Sequence, residues 1–307
     1  MQKKRTHSEI KTKIHPRNKH RERYDFPQLI ASHPDLEAYV QPNKYGDESI
    51  NFFDPKAVFT LNKALLKHYY AIDYWEIPED YLVPPIPGRA DYIHYIADLL
   101  AVDNDDEIPK GKEVLCFDIG VGANCIYPII GHQEYGWNFV GSETDEVALE
   151  SASKIVKENE ILKDAIELRL QKNPKYLFKG ILKKGERFDV TICNPPFHAS
   201  AKEAEQASIR KLSNLQKKAV EKAALNFGGK SNELWCPGGE VQFVCDMIYQ
   251  SKKYADNCLW FTSLVSKELN LKAIYKALKN VEAKDVRTLA MGQGNKVSRI
   301  VAWTFFE

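Results

Sequence analysis

The tetrapeptide Asn194-Pro195-Pro196-Phe197 follows an apolar run in the segment FDVTICNPPFHAS. A run of that length reads as a buried strand, and the residues just past a strand's carboxyl end are where an open parallel sheet meets its ligands. The Asn194 side-chain oxygen and the Pro195 carbonyl can accept the two hydrogens of a planar exocyclic amine. The prolines stiffen the loop, and Phe197 can stack on the ring that carries the amine. Such a set aims a nitrogen lone pair at an electrophilic methyl group, so the catalytic advantage is alignment rather than a metal-activated nucleophile. The proton can leave to solvent, so His198 is read as a structural or substrate-contacting residue before it is read as a base.

A second constellation lies upstream in DIGVGANCIYP. Gly120 and Gly122 permit a tight strand-to-helix turn and close approach of a ligand to backbone, with Asn124 in the same turn. Asp118 ends the preceding strand. Glu143 follows the next strand, 21 residues after Gly122, the distance expected of a carboxylate that accepts from a ribose diol. The third glycine of a dinucleotide fingerprint is absent, because Cys125 stands there, which weakens a nicotinamide reading. S-adenosylmethionine has no phosphate and suits the site better: Asp118 answers its ammonium, directly or through water. Arg89, in the proline-rich LVPPIPGR segment, offers a guanidinium fork for its carboxylate.

The elements that must hold these residues follow from hydrophobic period. Strands are expected at EVLCFD, 137–141, 166–170, 188–193 and CLWFTSLV, with helices over 145–158, 241–253 and 269–280. Residues 283–290 and 297–306 read as a terminal antiparallel hairpin with its turn at 292–295. The sum is an α/β fold, a Rossmann-like, doubly wound and mostly parallel sheet of seven strands. Val58, Leu61, Leu65 and Tyr69 predict a helix within an amino-terminal helical extension, 24–100. Residues 199–240, long and polar, read as an insertion beside the fourth strand.

With 307 residues, 44% hydrophobic and 28% charged, the composition is that of a soluble globular chain. No apolar window is long enough to span a membrane and no signal peptide is visible, so an intracellular, cytoplasmic protein is expected. The six cysteines are dispersed and read as free thiols, and no metal site is expected because Cys236 and Cys245 lack a second pair or a nearby histidine. The net charge of +1 hides an asymmetry: residues 1–23 hold nine Lys or Arg against two Glu. That stretch reads as a flexible arm that tracks phosphates, ahead of one catalytic domain over 24–307, with a solvated tail as the bland alternative.

Taken together, HPRNKHRERYDF, PPIPGRADYIHYIADLL, DIGVGANCIYPIIG, GSETD, CNPPFHAS, LNFGG, ELWCPGGE and MGQGNKVSRIVAWTF resemble the bacterial large-subunit rRNA adenine-N6 methyltransferases, within the wider family of RNA adenine methyltransferases. The resemblance covers nearly the whole chain. It implies a class I methyltransferase fold and a cytoplasmic enzyme that uses S-adenosylmethionine to methylate N6 of a specific adenine in 23S rRNA, free or in a large-subunit assembly intermediate. Arg89 would clamp the methionine carboxylate, Gly120 and Gly122 shape the pocket, Glu143 hold the ribose, and Asn194, Pro195 and Phe197 receive the adenine. RNA contacts are expected from Lys19, Arg21 and Arg23 in the arm and Lys217 and Lys218 in the insertion, with Ser263 and Gln293 as further pocket or RNA candidates. A monomer is the default. The alternatives are an N-methyltransferase for another structured RNA or a protein amide, and a non-catalytic RNA-binding module.

Overall fold

The computed structural model describes residues 11–206, 209, 231–293 and 296–307. Seven strands form the central sheet: β3 (Leu115–Ile119), β4 (Asn138–Glu143), β5 (Ile166–Leu170), β6 (Phe188–Cys193), β7 (Cys258–Val265), β8 (Asp285–Gln293) and β9 (Lys296–Thr304). Their order is β5-β4-β3-β6-β7-β9-β8, parallel except for β9, which runs antiparallel to both neighbours. Short apolar runs buried on both faces suit such a sheet. Alternation sends Cys116 into one core cluster and Phe117 into the other.

Helices α1 (Phe26–Ser32), α2 (Pro55–Tyr70), α3 (Ile86–Val102), α4 (Ile126–Tyr135) and α5 (Glu146–Glu158) contribute to the first cluster. A short α6 (Ser231–Leu234) precedes α7 (Gly239–Ser251) and α8 (Leu271–Asn280), and these last two supply Met247, Ile248 and Ile274 to the second. Helix starts follow local chemistry: the Asp54 carboxylate accepts from the Lys56 N–H ahead of Pro55, and Asp145 accepts from Val147 and Ala148. The helix expected at 145–158 therefore begins one residue later, its first acid being the cap.

The amino-terminal extension is not wholly helical, since β1 (Val40–Pro42) and β2 (Glu48–Ile50) form a small antiparallel hairpin between α1 and α2. The terminal strands reach further toward their turn than expected and stop about two residues short at their other ends, which places Gly292 within β8 rather than in the turn.

The larger correction concerns residues 11–23. Rather than hanging free, this stretch docks on α3 and α4, with Ile14, His15, Asn18 and His20 buried. The Asp91 carboxylate accepts from the His15 N–H at 3.0 Å and the Asn18 Nδ2 at 2.6 Å. Asp98 meets His15 Nε2 at 2.9 Å and Arg17 Nη2 at 2.6 Å. Charge alone cannot separate a tethered cation from one folded onto its own acids. The domain boundary at residue 23 thus cuts through a docked segment, while residues 1–10 lie outside the described ones.

Candidate functional site

Strand register brings the sequence-predicted residues to one edge of the sheet. Ile119 pairs with Ser142 on one side and with Cys193 on the other, so the loops beginning at Gly120, Glu143 and Asn194 leave the sheet side by side. The strand order reverses at β3 and β6, where a doubly wound sheet opens its crevice. A cavity of about 450 Å³ occupies it, lined by Arg89, Gly120, Gly122, Asn124, Glu143, Asn194 and Pro196 among others. That volume lies in the range of small-molecule sites.

Each wall is built by specific contacts. Gly120 and Gly122 have φ of +78° and +64°, and a Cβ on Gly120 would meet nothing within 4 Å, so the turn leaves room for a ligand against its backbone. Glu143 Oε1 accepts from the Thr144 and Asp145 N–H groups, whereas Oε2, among the described residues, accepts only the Gly122 N–H at 3.0 Å. Oε2 therefore keeps a lone pair for a hydroxyl. Arg89, in the first turn of α3, donates from Nη1 to the Tyr127 hydroxyl at 2.9 Å and lies 5.5 Å from that ring's centroid. This fixes the guanidinium while leaving most of its donors free. The Asn124 side chain accepts from the Ile126 N–H at 3.2 Å and reaches the Leu82 carbonyl at 3.5 Å, so it braces the turn.

Asn194 Oδ1 is buried and has no hydrogen-bond partner among the described residues. A buried acceptor left open costs free energy unless a ligand completes it. Pro195 is buried, Pro196 faces the cavity, and Phe197 is half-buried against the core rather than in the cavity lining. His198 Nδ1 lies 3.8 Å from Glu203 Oε1.

Some expected residues stand elsewhere. Asp118 is wholly buried and outside the cavity lining, with neither carboxylate oxygen hydrogen-bonded among the described residues. Burial, reinforced by nearby Glu143 and opposed by Arg89, pushes its carboxyl up to about 8. Asp118 therefore stands beneath the glycine turn rather than on the cavity lining. Ser263 is fully buried in β7, its hydroxyl 3.3 Å from the Leu264 carbonyl, and so is neither an RNA contact nor a cavity residue. Lys19 pairs with Glu134 at 3.0 Å, Arg23 pairs with Asp47 at 2.8 Å, and Arg21 donates to the Pro16 carbonyl at 3.4 Å. Gln293 ends β8 opposite Lys296. Lys217 and Lys218 lie outside the described residues.

Sequence reading missed one wall. Tyr81, Leu82, Tyr127, Glu233, Trp235 and Pro237 also line the cavity. The Leu82 N–H donates to Glu233 Oε2 at 3.1 Å, and the His198 and Cys236 backbones bond across at 3.0 Å. The end of the insertion thus folds back over the Asn194 loop, with an unpartnered buried indole N–H on Trp235. The only signal for this wall was the ELWCPGGE block.

A carboxylate clamp, a glycine turn with free space above it and an acid at the next strand end fit the three parts of S-adenosylmethionine. The family model described as RNA methyltransferase matches residues 8–307. The chain belongs to this RNA methyltransferase family. Among curated members, it is 60% identical over 302 residues, 98% of this chain and 94% of the relative, to the ribosomal RNA large subunit methyltransferase F of Cytophaga hutchinsonii. To the protein of that name from Serratia proteamaculans it is 56% identical over 308 residues, covering 100% of this chain and 92% of the other. Of solved structures, the hMettl16 catalytic domain in complex with the MAT2A 3'UTR hairpin 1 superposes with a TM-score of 0.79 at 29% identity, over 96% of each chain. The N-terminal domain of human METTL16 in complex with SAH superposes with a TM-score of 0.75 at 29% identity, over 96% of this chain and 99% of that one.

Proposed function

We propose that this RNA methyltransferase transfers the methyl group of S-adenosylmethionine to N6 of a specific adenine in 23S rRNA, free or in a large-subunit precursor. Asn194 carries the reading: it lines the cavity that holds Arg89 and Glu143, and its buried side-chain oxygen has no partner among the described residues. The rRNA substrate is supported by the near full-length likeness to proteins named for large-subunit rRNA methylation.

S-adenosylmethionine supplies an electrophilic methyl group when bound. Arg89 holds its carboxylate, the glycine turn receives it against the backbone, and Glu143 Oε2 accepts from its ribose. Asn194 Oδ1 and the Pro195 carbonyl accept from the adenine amine, turning the N6 lone pair out of conjugation and toward the methyl. Transfer breaks the S–CH3 bond, forms N6–C, and releases one amine proton to solvent. Phe197, only half-buried, stacks on the base once it has left its RNA stack, which costs least in an unpaired position. The enzyme acts in the cytoplasm as a monomer. No described helix is long and apolar enough to cross a membrane.

The test is incubation of the enzyme and labelled donor with separated RNA and protein fractions from cells lacking the enzyme, followed by mass-spectrometric mapping of the modified nucleoside in rRNA. N6-methyladenosine at one 23S position is expected, and Asn194→Ala should lose at least about a hundredfold in turnover. Label confined to protein, or undiminished turnover in Asn194→Ala, refutes the reading.

A further inference from the structure

The backbone ladder between strands β6 and β7 stops short of the Asn194 loop, although the strands stay side by side. Their parallel ladder pairs Phe188 with Cys258 and Val190 with Trp260 and goes no further. The next step would pair Ile192 with Thr262, using the Thr262 and Cys193 N–H groups on the opposite backbones. Both N–H groups go to hydroxyls instead. Thr262 N–H donates to Thr191 Oγ1 at 3.0 Å, and Cys193 N–H donates to the Tyr92 hydroxyl at 3.4 Å.

The hydroxyls form a closed set. Thr262 Oγ1 lies 2.6 Å from the Thr191 carbonyl, which takes its proton, so Tyr92, 2.9 Å away, donates to Thr262 Oγ1. The Cys193 carbonyl lies 3.3 Å from the same phenol. Tyr92 and Thr262 are fully buried and Thr191 is 1% exposed. A buried backbone N–H must be satisfied, so these side chains stand in for the missing rung. Burial keeps the Tyr92 phenol well above its ordinary range, which leaves it a donor.

Tyr92 sits three residues after Arg89 on α3, on the same side of the helix. Its ring meets Tyr127 edge-on at 5.3 Å, and Tyr127 accepts from Arg89. One helix therefore touches both the residue placed at the donor's carboxylate and the backbone immediately before Asn194.

We propose that Tyr92, bonded into the gap between β6 and β7 with Thr191 and Thr262, is a positioning residue that sets Asn194 relative to Arg89 and so fixes the separation of amine and methyl group. This rests on the reading of Asn194 as the amine acceptor. Tyr92→Phe keeps the ring and removes the hydroxyl, while Thr262→Val removes the hydroxyl that accepts from it. Each is tested for turnover on rRNA, KM for donor and RNA, SAH affinity by calorimetry, and melting temperature.

The expected result for both variants is a roughly ten- to hundredfold loss in kcat, with SAH affinity and both KM values within about threefold. A purely structural role would lower stability and donor affinity together and leave kcat on the folded fraction unchanged, and that result overturns the proposal. Should Tyr92→Phe fail to fold, Thr262→Val decides by the same criteria. The two readings fail separately: full activity of Asn194→Ala removes the acceptor role, whereas an inactive Asn194→Ala beside a fully active Tyr92→Phe removes only the positioning role.

Discussion

Asn18→Ala tests whether the basic amino-terminal stretch is docked or merely tethered. Asn18 is 3% exposed and Asp91 1%. The Asn18 amide donates to the Pro87 carbonyl at 2.9 Å and to Asp91 at 2.6 Å, and its oxygen accepts from the His20 N–H at 2.8 Å. Truncation leaves a carbonyl, a carboxylate and an N–H short of a partner in a nearly dry site. Each such group costs about 1–3 kcal/mol. Water entering the small vacated space recovers part of that, so the lower end applies and the sum is about 3 kcal/mol. For a chain of this size that corresponds to a fall of roughly 4–5 °C in Tm if the segment melts with the body. If it opens alone, the same energy appears as faster cleavage by trypsin after Arg17, Lys19 and Arg21, measured by timed digestion and mass spectrometry. Asn18→Asp, nearly isosteric, should be worse than alanine because it sets a second carboxylate against Asp91. An alanine variant with wild-type melting and wild-type digestion would refute the docking argument, since no route would remain for the lost bonds to express themselves.

Asp118 and residues 1–10 give two further expectations. The folded-state pKa of Asp118 is raised from 3.8 to about 8, so the folded state binds the extra proton and its contribution to stability is lost as pH rises across that window. Asp118→Asn should therefore gain in Tm relative to wild type from pH 5 to pH 8; a constant difference across those two melts would contradict the shift. Deleting residues 1–10, which carry Lys3, Lys4 and Arg5, should weaken RNA binding and reduce the slope of log affinity against log salt by up to about 2, with Tm unchanged. An unaltered slope would remove phosphate contact as the role of that stretch.

Where the chain spoke through local pattern, it was legible. Strands β5, β6 and β7 were placed to the residue, because short apolar runs bounded by polar turns leave few alternatives. Gly120, Glu143 and Asn194 were found because strand-end residues announce themselves by type and spacing. What stayed hidden depends on partners distant in sequence. Glu233 meets Leu82 across 151 residues and Tyr92 meets Thr262 across 170, and no window contains both ends of either pair. Asp118 shows a related limit: its identity was plain, but its total burial is a property of the packed sheet. The charges of Arg17, Lys19 and Arg23 invite an electrostatic reading, whereas their pairing with Asp98, Glu134 and Asp47 depends on partners that only the folded chain brings near.

The docked amino-terminal segment also joins parts of the fold that are distant in sequence. It lies against Asp91 and Asp98 on α3, and a Cβ on Gly292 in β8 would come within 3.2 Å of the Lys13 Cβ. Lys13 and Gly292 lie far apart in sequence, so the resting place of this segment is complete only where α3 and the β8–β9 hairpin have both formed. A side chain added at Gly292 would therefore press on docked residues that belong to a distant stretch of the chain.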